Sequence, residues 1–146
     1  ALVSFRGETA ECLLSPTRSL VQTKRKLSAL PGGGGTPLAS GLNEAMQLAM
    51  LVRTRGMSPV IVLVTDGKTN IAMDGTADRA RAREDAMRVA NSIRLQGLGV
   101  LVIDIAARPQ PALRDISQHL DGDYLPLPRA DSRRLSGAVQ MALDSA

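Results

Sequence analysis

Gly32-Gly33-Gly34-Gly35-Thr36-Pro37 and, further along, Val60-Ile61-Val62-Leu63-Val64-Thr65-Asp66-Gly67 are the two stretches whose reading decides the fold. The first predicts a helix opening at Pro37: threonine is a favoured N-cap, proline is preorganised for the first helical position, and the glycines let the backbone turn. The second is a continuous aliphatic run rather than an alternating one, which predicts a strand covered on both faces in a parallel sheet. It ends in a carboxylate at the sheet edge where ligands of open α/β folds bind. A hydroxyl from Thr36 and a carboxylate from Asp66 are hard oxygen donors of the kind that Mg²⁺ takes while keeping several waters, so the pair reads as half of a metal site.

Outward from these stretches the pattern stays regular. Ala1 to Phe5 begins at once as an apolar strand, which suggests a fragment of a longer protein. Arg6-Gly7-Glu8 turns it into a second strand, Ala10 to Leu14, as a hairpin. Ser19-Leu20-Val21-Gln22 reads as a capping box opening a helix to about Leu30, which carries Lys24-Arg25-Lys26 and is ended by Pro31 and the glycines. From Pro37 to about Arg55, residues Leu38, Leu42, Ala45, Met46, Ala49 and Val52 recur at the spacing of one buried helix face, and Gly56 closes the helix. After the strand Pro59 to Thr65 come a loop over 66–75, a helix from about Ala77 to Gln96 with Ala82, Ala86, Val89, Ala90 and Ile93 inward, and a buried strand from Gly99 to Ile105. A short helix from about Ala112 to Leu120, a strand from Asp123 to Leu127, and a helix capped by Asp131 with Leu135, Ala138, Val139 and Ala142 on one face complete the chain. The order β-β-α-α-β-α-β-α-β-α predicts one α/β domain over residues 1–146, with a mostly parallel sheet, one antiparallel edge strand and helices on both faces.

Composition narrows the chemistry. With 146 residues, 44% of them hydrophobic, the chain can bury a real core. The single Cys12 excludes a disulfide framework, and with no Cys/His cluster there is no zinc site from this chain alone; Cys12 reads as a small apolar residue in a reducing compartment. No apolar run approaches the roughly 20 residues of a membrane span, and no signal-peptide pattern opens the chain, so a soluble intracellular protein is expected. The net charge of +4 raises the question of nucleic acid, but Phe5 and Tyr124 are the only aromatics, too few for a base-stacking platform. Arg79, Arg81, Arg83, Arg88 and Arg94 lie along one helix with Glu84 and Asp85 among them, and read as a solvated or protein-docking face.

Two motifs mislead. Gly67-Lys68-Thr69 resembles the end of a P-loop, yet the glycine that a P-loop needs five residues earlier is Val62, inside the strand; Lys68 is a loop cation near Asp66. His119 stands alone, and no G-x-S-x-G elbow accompanies it, so a Ser/His hydrolase is unsupported. Catalytic and nucleotide-binding residues are not expected in this chain.

Gly-Gly-Thr-Pro before a helix, then an aliphatic strand ending in Thr-Asp-Gly, is similar to two parts of the metal-ion-dependent adhesion site of von Willebrand factor A (integrin I-type) domains, and the resemblance spans nearly the whole chain. Within that group the chain resembles the C-terminal domain of the magnesium chelatase D subunit, through Ala1 to Gly7, Gly32 to Leu42, Leu63 to Ile71, Val102-Ile103-Asp104 and Tyr124 to Arg129.

The resemblance implies that Thr36 supplies a hydroxyl ligand to Mg²⁺ and that Asp66 binds it directly or through water. The family's Asp-x-Ser-x-Ser motif, at the end of a first central strand, does not occur here: either it lies upstream in a longer protein or this version has lost it, and in this chain the first strand is expected to be missing and the metal site incomplete. The resemblance further implies a docking module within an ATP-driven complex that inserts Mg²⁺ into protoporphyrin IX. Its partners would be an AAA+ I subunit, which with the D subunit forms the motor complex, and a porphyrin-binding H subunit. The parent would be a homo-oligomer in the bacterial cytoplasm or the chloroplast stroma, with ATP bound elsewhere than in this domain. Two other readings stay open: a von Willebrand A module of another AAA+ system such as a cobalt chelatase, and a Rossmann-like enzyme binding a nucleotide at the glycine run.

Overall fold

The computed structural model describes residues 1–29 and 34–144. Its elements are β1 (Leu2–Arg6), β2 (Thr9–Leu14), α1 (Leu20–Ser28), α2 (Leu38–Thr54), β3 (Val60–Thr65), α3 (Arg79–Leu95), β4 (Gly99–Asp104), α4 (Pro111–Leu120), β5 (Asp123–Pro126) and α5 (Ser132–Asp144). The order is the one the sequence predicts, with boundaries shifted by a residue or two at most ends. The expected stop of α1 at Leu30, Pro31 and the first glycines lies outside the described residues.

Strands β3, β4 and β5 form a parallel sheet with β4 in the centre, Val60 opposite Gly99 and Leu101 opposite Asp123. Alternation along the strands splits the core in two. Ile61, Leu63, Val100 and Val102 face Leu38 and Leu42 of α2, Ile93 of α3 and Leu113 of α4. On the opposite face Leu101 and Ile103 pack with Ala138 of α5, with Val62 and Leu125 alongside. Each fully buried aliphatic side chain stabilises the fold by about 1.5–3 kcal/mol relative to leaving it in water. Helices thus cover both faces, as expected, but unequally: α5 buries only Ala138, and Val64 at the end of β3 is left 37% exposed.

The helix boundaries have local causes. Asp78 caps α3 through a bond from the Arg81 N–H, Asp131 accepts from the Arg134 N–H at the start of α5, and Ser19 accepts from the Gln22 N–H at the start of α1. In α3 the five residues predicted to face inward, Ala82, Ala86, Val89, Ala90 and Ile93, are all buried. Cys12 is half-buried on β2 rather than a core residue.

The hairpin corrects one expectation. Among the described residues it is not an edge of the parallel sheet: β1 and β2 pair only with each other, as a separate antiparallel sheet. Strand β3 pairs with β4 alone among the described residues, and a cleft of about 290 Å³ separates it from β1, walled by Leu2, Val3 and Phe5 on one side and by Val60, Ile61 and Val62 on the other. Helix α2 floors the cleft and holds the hairpin there. At Gly41 a Cβ would come within 2.6 Å of the Phe5 ring, so the ring lies directly on the helix backbone and only glycine fits.

Gly41→Ala is accordingly expected to destabilise the chain by about 1–3 kcal/mol, because the methyl must push the Phe5 ring off α2. Gly137→Ala, at a position in α5 with nothing within 4 Å, is expected to stabilise by about 0.4–1 kcal/mol. Urea unfolding of the two variants beside the parent chain checks both signs.

Candidate functional site

The carboxyl ends of β3 and β4 lie side by side at one corner of the molecule, and the loop that leaves β3 through Asp66 is hydrogen-bonded, at Asn70, to Thr36 just before α2. Thr36 is half-buried. It does not cap α2, contrary to expectation: the N-cap position falls on Pro37, whose ψ of 71° is outside the helical range, and the helix start has no side-chain cap. The reason lies in the backbone of Thr36. Its N–H donates to Asn70 Oδ1 at 2.8 Å and its C=O accepts from the Asn70 N–H at 3.4 Å, which hold the residue outside the helix. Its hydroxyl is therefore not occupied by a cap.

Asp66 sits at the first position past β3, with its side chain 46% exposed. Oδ1 accepts from the Lys68 N–H at 3.2 Å, closing the turn that Gly67 makes at a φ of 86°. Oδ2 lies 3.8 Å from Lys68 Nζ, an exposed ion pair that contributes little to stability. Thr65 Oγ1 accepts from the Gly67 N–H and ties the turn to the strand end. The structure thus brings the segments of Thr36 and Asp66 together through Asn70, four residues after Asp66 in the same loop. Among the described residues no group of three or more His, Cys, Asp or Glu side chains converges as a metal site. The hydroxyl and carboxylate fit a hard cation in chemistry and make a partial donor set by themselves.

The loop that carries Asp66 and Asn70 is pinned along its length. Ile71 and Ala72 are buried, and the Met73 N–H donates to Asp85 Oδ2 at 2.8 Å. Asp74 accepts from both the N–H and the hydroxyl of Thr76 and pairs with Arg81 at 2.7 Å; those Thr76 bonds, with the Arg81 charge, hold its carboxyl below the usual range.

Behind the corner stands Asp104, at the end of β4 opposite Thr65 and fully buried. Its carboxylate accepts from the Ala106 N–H at 3.0 Å, the Gln110 N–H at 2.7 Å and the Tyr124 hydroxyl at 2.7 Å. Gln110 is the N-cap residue of α4, so the anion also faces the positive end of that helix. The Gln110 side chain in turn lies against Gly67, where a Cβ would come within 2.7 Å of it. Arg114 stacks over the Tyr124 ring at 5.3 Å.

Comparison with known proteins places this architecture. No protein-family model matches the chain. The magnesium-chelatase 60 kDa subunit of Cereibacter sphaeroides is 54% identical over 143 residues, 98% of this chain and 26% of that protein. The magnesium-chelatase 67 kDa subunit of Chlorobaculum parvum is 34% identical over 149 aligned residues, 95% of this chain and 24% of that protein. The crystal structure of the SpRpn10 VWA domain superposes with a TM-score of 0.68 at 15% identity, over 95% of this chain and 69% of that one. The chain belongs with the magnesium-chelatase 60 and 67 kDa subunits and has a von Willebrand factor A fold. It spans about a quarter of the length of these chelatase relatives.

Within this chelatase-subunit segment the sequence reading named Thr36 and Asp66 as candidate ligands and gave no site role to Asn70, Asp85, Asp104 or Tyr124, whose hydrogen bonds hold the loops around them. Asp104 had a usable signal, a carboxylate closing an aliphatic strand just as Asp66 does. Asn70 and Asp85 had none, because their partners lie far off in sequence. The basic face of α3 is exposed as expected, but three of its five arginines are engaged: Arg81 with Asp74, Arg83 with Asp115 and Arg88 with Asp85. Lys68 lies beside Asp66 as read, Val62 stands inside β3 where a P-loop would need glycine, and His119 Nδ1 lies 2.8 Å from the Asp115 carbonyl within α4. Among the described residues no helix is long and apolar enough to cross a membrane.

Tyr124 is the only tyrosine of a chain without tryptophan, so it reports on this network directly. Burial, the hydrogen bond to Asp104 and the charge of Asp104 push its phenol up to about 12 from 10.0, with Arg114 opposing. Because the folded state favours the neutral phenol, this contribution to stability is full below pH 10.0 and is lost as pH rises through about 12. An absorbance titration of the phenolate is expected to show a midpoint near 12 in the folded chain and near 10.0 in urea. Tyr124→Phe is expected to remove that alkaline loss of stability.

Proposed function

We propose that this chain is a metal-dependent docking domain of the D subunit of magnesium chelatase, a non-catalytic part of an ATP-driven ligase complex that inserts Mg²⁺ into protoporphyrin IX. The observation that supports the proposal is the pair of hydrogen bonds by which Asn70, in the loop that Asp66 opens, holds the backbone of Thr36, in a chain 54% identical to a magnesium-chelatase subunit. Thr36 would offer its hydroxyl and Asp66 its carboxylate to a Mg²⁺ ion. Such an ion, held by few charged ligands, keeps a coordination position for a carboxylate from outside. The remaining ligands, an Asp-x-Ser-x-Ser motif, would arrive on a strand from another part of the parent protein, and the apolar cleft between β1 and β3 has two strand borders to receive it.

The partner carboxylate would come from the AAA+ I subunit, and the assembly of I and D subunits, with homo-oligomeric D, would act on the porphyrin-bound H subunit in the cytoplasm. The ion at Thr36 and Asp66 is held for docking and is distinct from the Mg²⁺ delivered to the porphyrin. ATP belongs to other parts of the complex.

The test is capture of the I subunit by the intact parent protein in Mg²⁺ and in EDTA, at constant nucleotide. Thr36→Ala and Asp66→Ala are each expected to lower metal-dependent capture by about 10-fold or more, in line with loss of a ligand. Capture that is equal in EDTA, or unchanged in both variants, would reduce Thr36 and Asp66 to parts of a turn.

A further inference from the structure

Thr36 and Asp66 come from different elements, and no hydrogen bond links them directly among the described residues. Asn70 supplies the connection. Its side-chain oxygen takes the Thr36 N–H at 2.8 Å, and its own N–H reaches the Thr36 C=O at 3.4 Å, so both backbone polar groups of Thr36 are held by one residue. Because the donor to the side chain is a backbone N–H, the contacting atom must be the amide oxygen, which fixes the orientation of the amide. The first residue of this loop is Asp66, fastened to β3 through the Gly67 N–H bond to Thr65 Oγ1. On its far side Ile71 and Ala72 are buried and Met73 is bonded to Asp85. With the loop fixed at both ends, the place of Thr36 relative to Asp66 depends on the Asn70 clamp.

The other side of Thr36 adds a constraint of the same kind. Gly35 accepts from the Gly7 N–H at 2.9 Å, and a Cβ at Gly35 would come within 2.6 Å of both the Gly7 carbonyl oxygen and Ile71 Cγ1. The segment is therefore wedged between the hairpin turn and the residue that follows Asn70. Backbone contacts fix where it lies, and among the described residues Asn70 is the one side chain whose hydrogen bond spans from the Asp66 loop to Thr36.

We infer that Asn70 is a positioning residue of the metal site: it sets the Thr36 hydroxyl against the Asp66 carboxylate without itself binding the ion. The inference rests on the metal reading of Thr36 and Asp66 given above, and the experiment separates the two. In the intact parent protein, Mn²⁺ replaces Mg²⁺ as the probe, since it shares the octahedral oxygen preference and its binding is followed by electron paramagnetic resonance. Asn70→Leu keeps the volume and removes the acceptor, while Asn70→Asp keeps an acceptor oxygen for the Thr36 N–H. Amide exchange at Thr36 is followed in the same samples.

Asn70→Leu is expected to weaken Mn²⁺ by about 10-fold or more, the range seen when an outer partner of a metal ligand is lost, and to speed exchange at Thr36. Asn70→Asp is expected to bind at or above the parent level with Thr36 still protected. If Asn70→Leu fails to fold, Asn70→Asp decides alone, and weakened binding in that variant overturns the inference. Faster exchange at Thr36 in Asn70→Leu with Mn²⁺ affinity unchanged also overturns it, leaving the clamp a loop staple while the metal reading stands. Parent protein whose Mn²⁺ binding is insensitive to Asp66→Ala would overturn both.

Discussion

A buried carboxylate organises this fold. Asp104 is fully enclosed at the end of the central strand, and an unsatisfied charge there would cost several kcal/mol. Its three hydrogen-bond donors come from the loop after β4, the start of α4 and the hydroxyl of β5's tyrosine. Satisfying the charge therefore requires these segments to converge. The convergence sets where Gln110 lies, and Gln110 backs the Gly67 turn that follows Asp66. A surface corner with an exposed acid is thus built on an interior one.

The corner joins two kinds of constraint. The parallel sheet places Asp66 and Asp104 at neighbouring strand ends through main-chain pairing and side-chain alternation, which follow from composition along the strands. Thr36 reaches the same place by another route, since its segment is not part of a strand and precedes a helix that lacks a side-chain cap. Where a helix opens without its own cap, other groups must hold the chain, and here they are Asn70 and the hairpin turn at Gly7.

The order of elements was legible because each has a clear period or boundary: the aliphatic runs of β3 and β4, the alanine-rich face of α3, the capping aspartate at 131. Thr36 and Asp66 were legible as candidate ligands because both lie at element ends, where composition marks them. The hairpin's separation from the sheet was not, since the strand pattern of Leu2 to Arg6 is the same whether its neighbour is β2 alone or β3 as well. Thr36 looked like a cap because Thr-Pro before a helix is the usual form of one; the competing bonds from Asn70 are tertiary and leave no local mark. The same holds for Asp85, whose place under the loop depends on a contact across 12 residues.

The two borders of the parallel sheet have a bearing on how copies of the chain behave toward one another. A free strand edge is a template on which a second molecule can add its own strand. Here β3 turns its edge into a cleft walled by the hairpin and floored by α2, and β5 at the other border has only four residues, the last of them Pro126, which has no N–H to give. A recessed border and a short, proline-ended one make this sheet a poor seed for edge-to-edge growth.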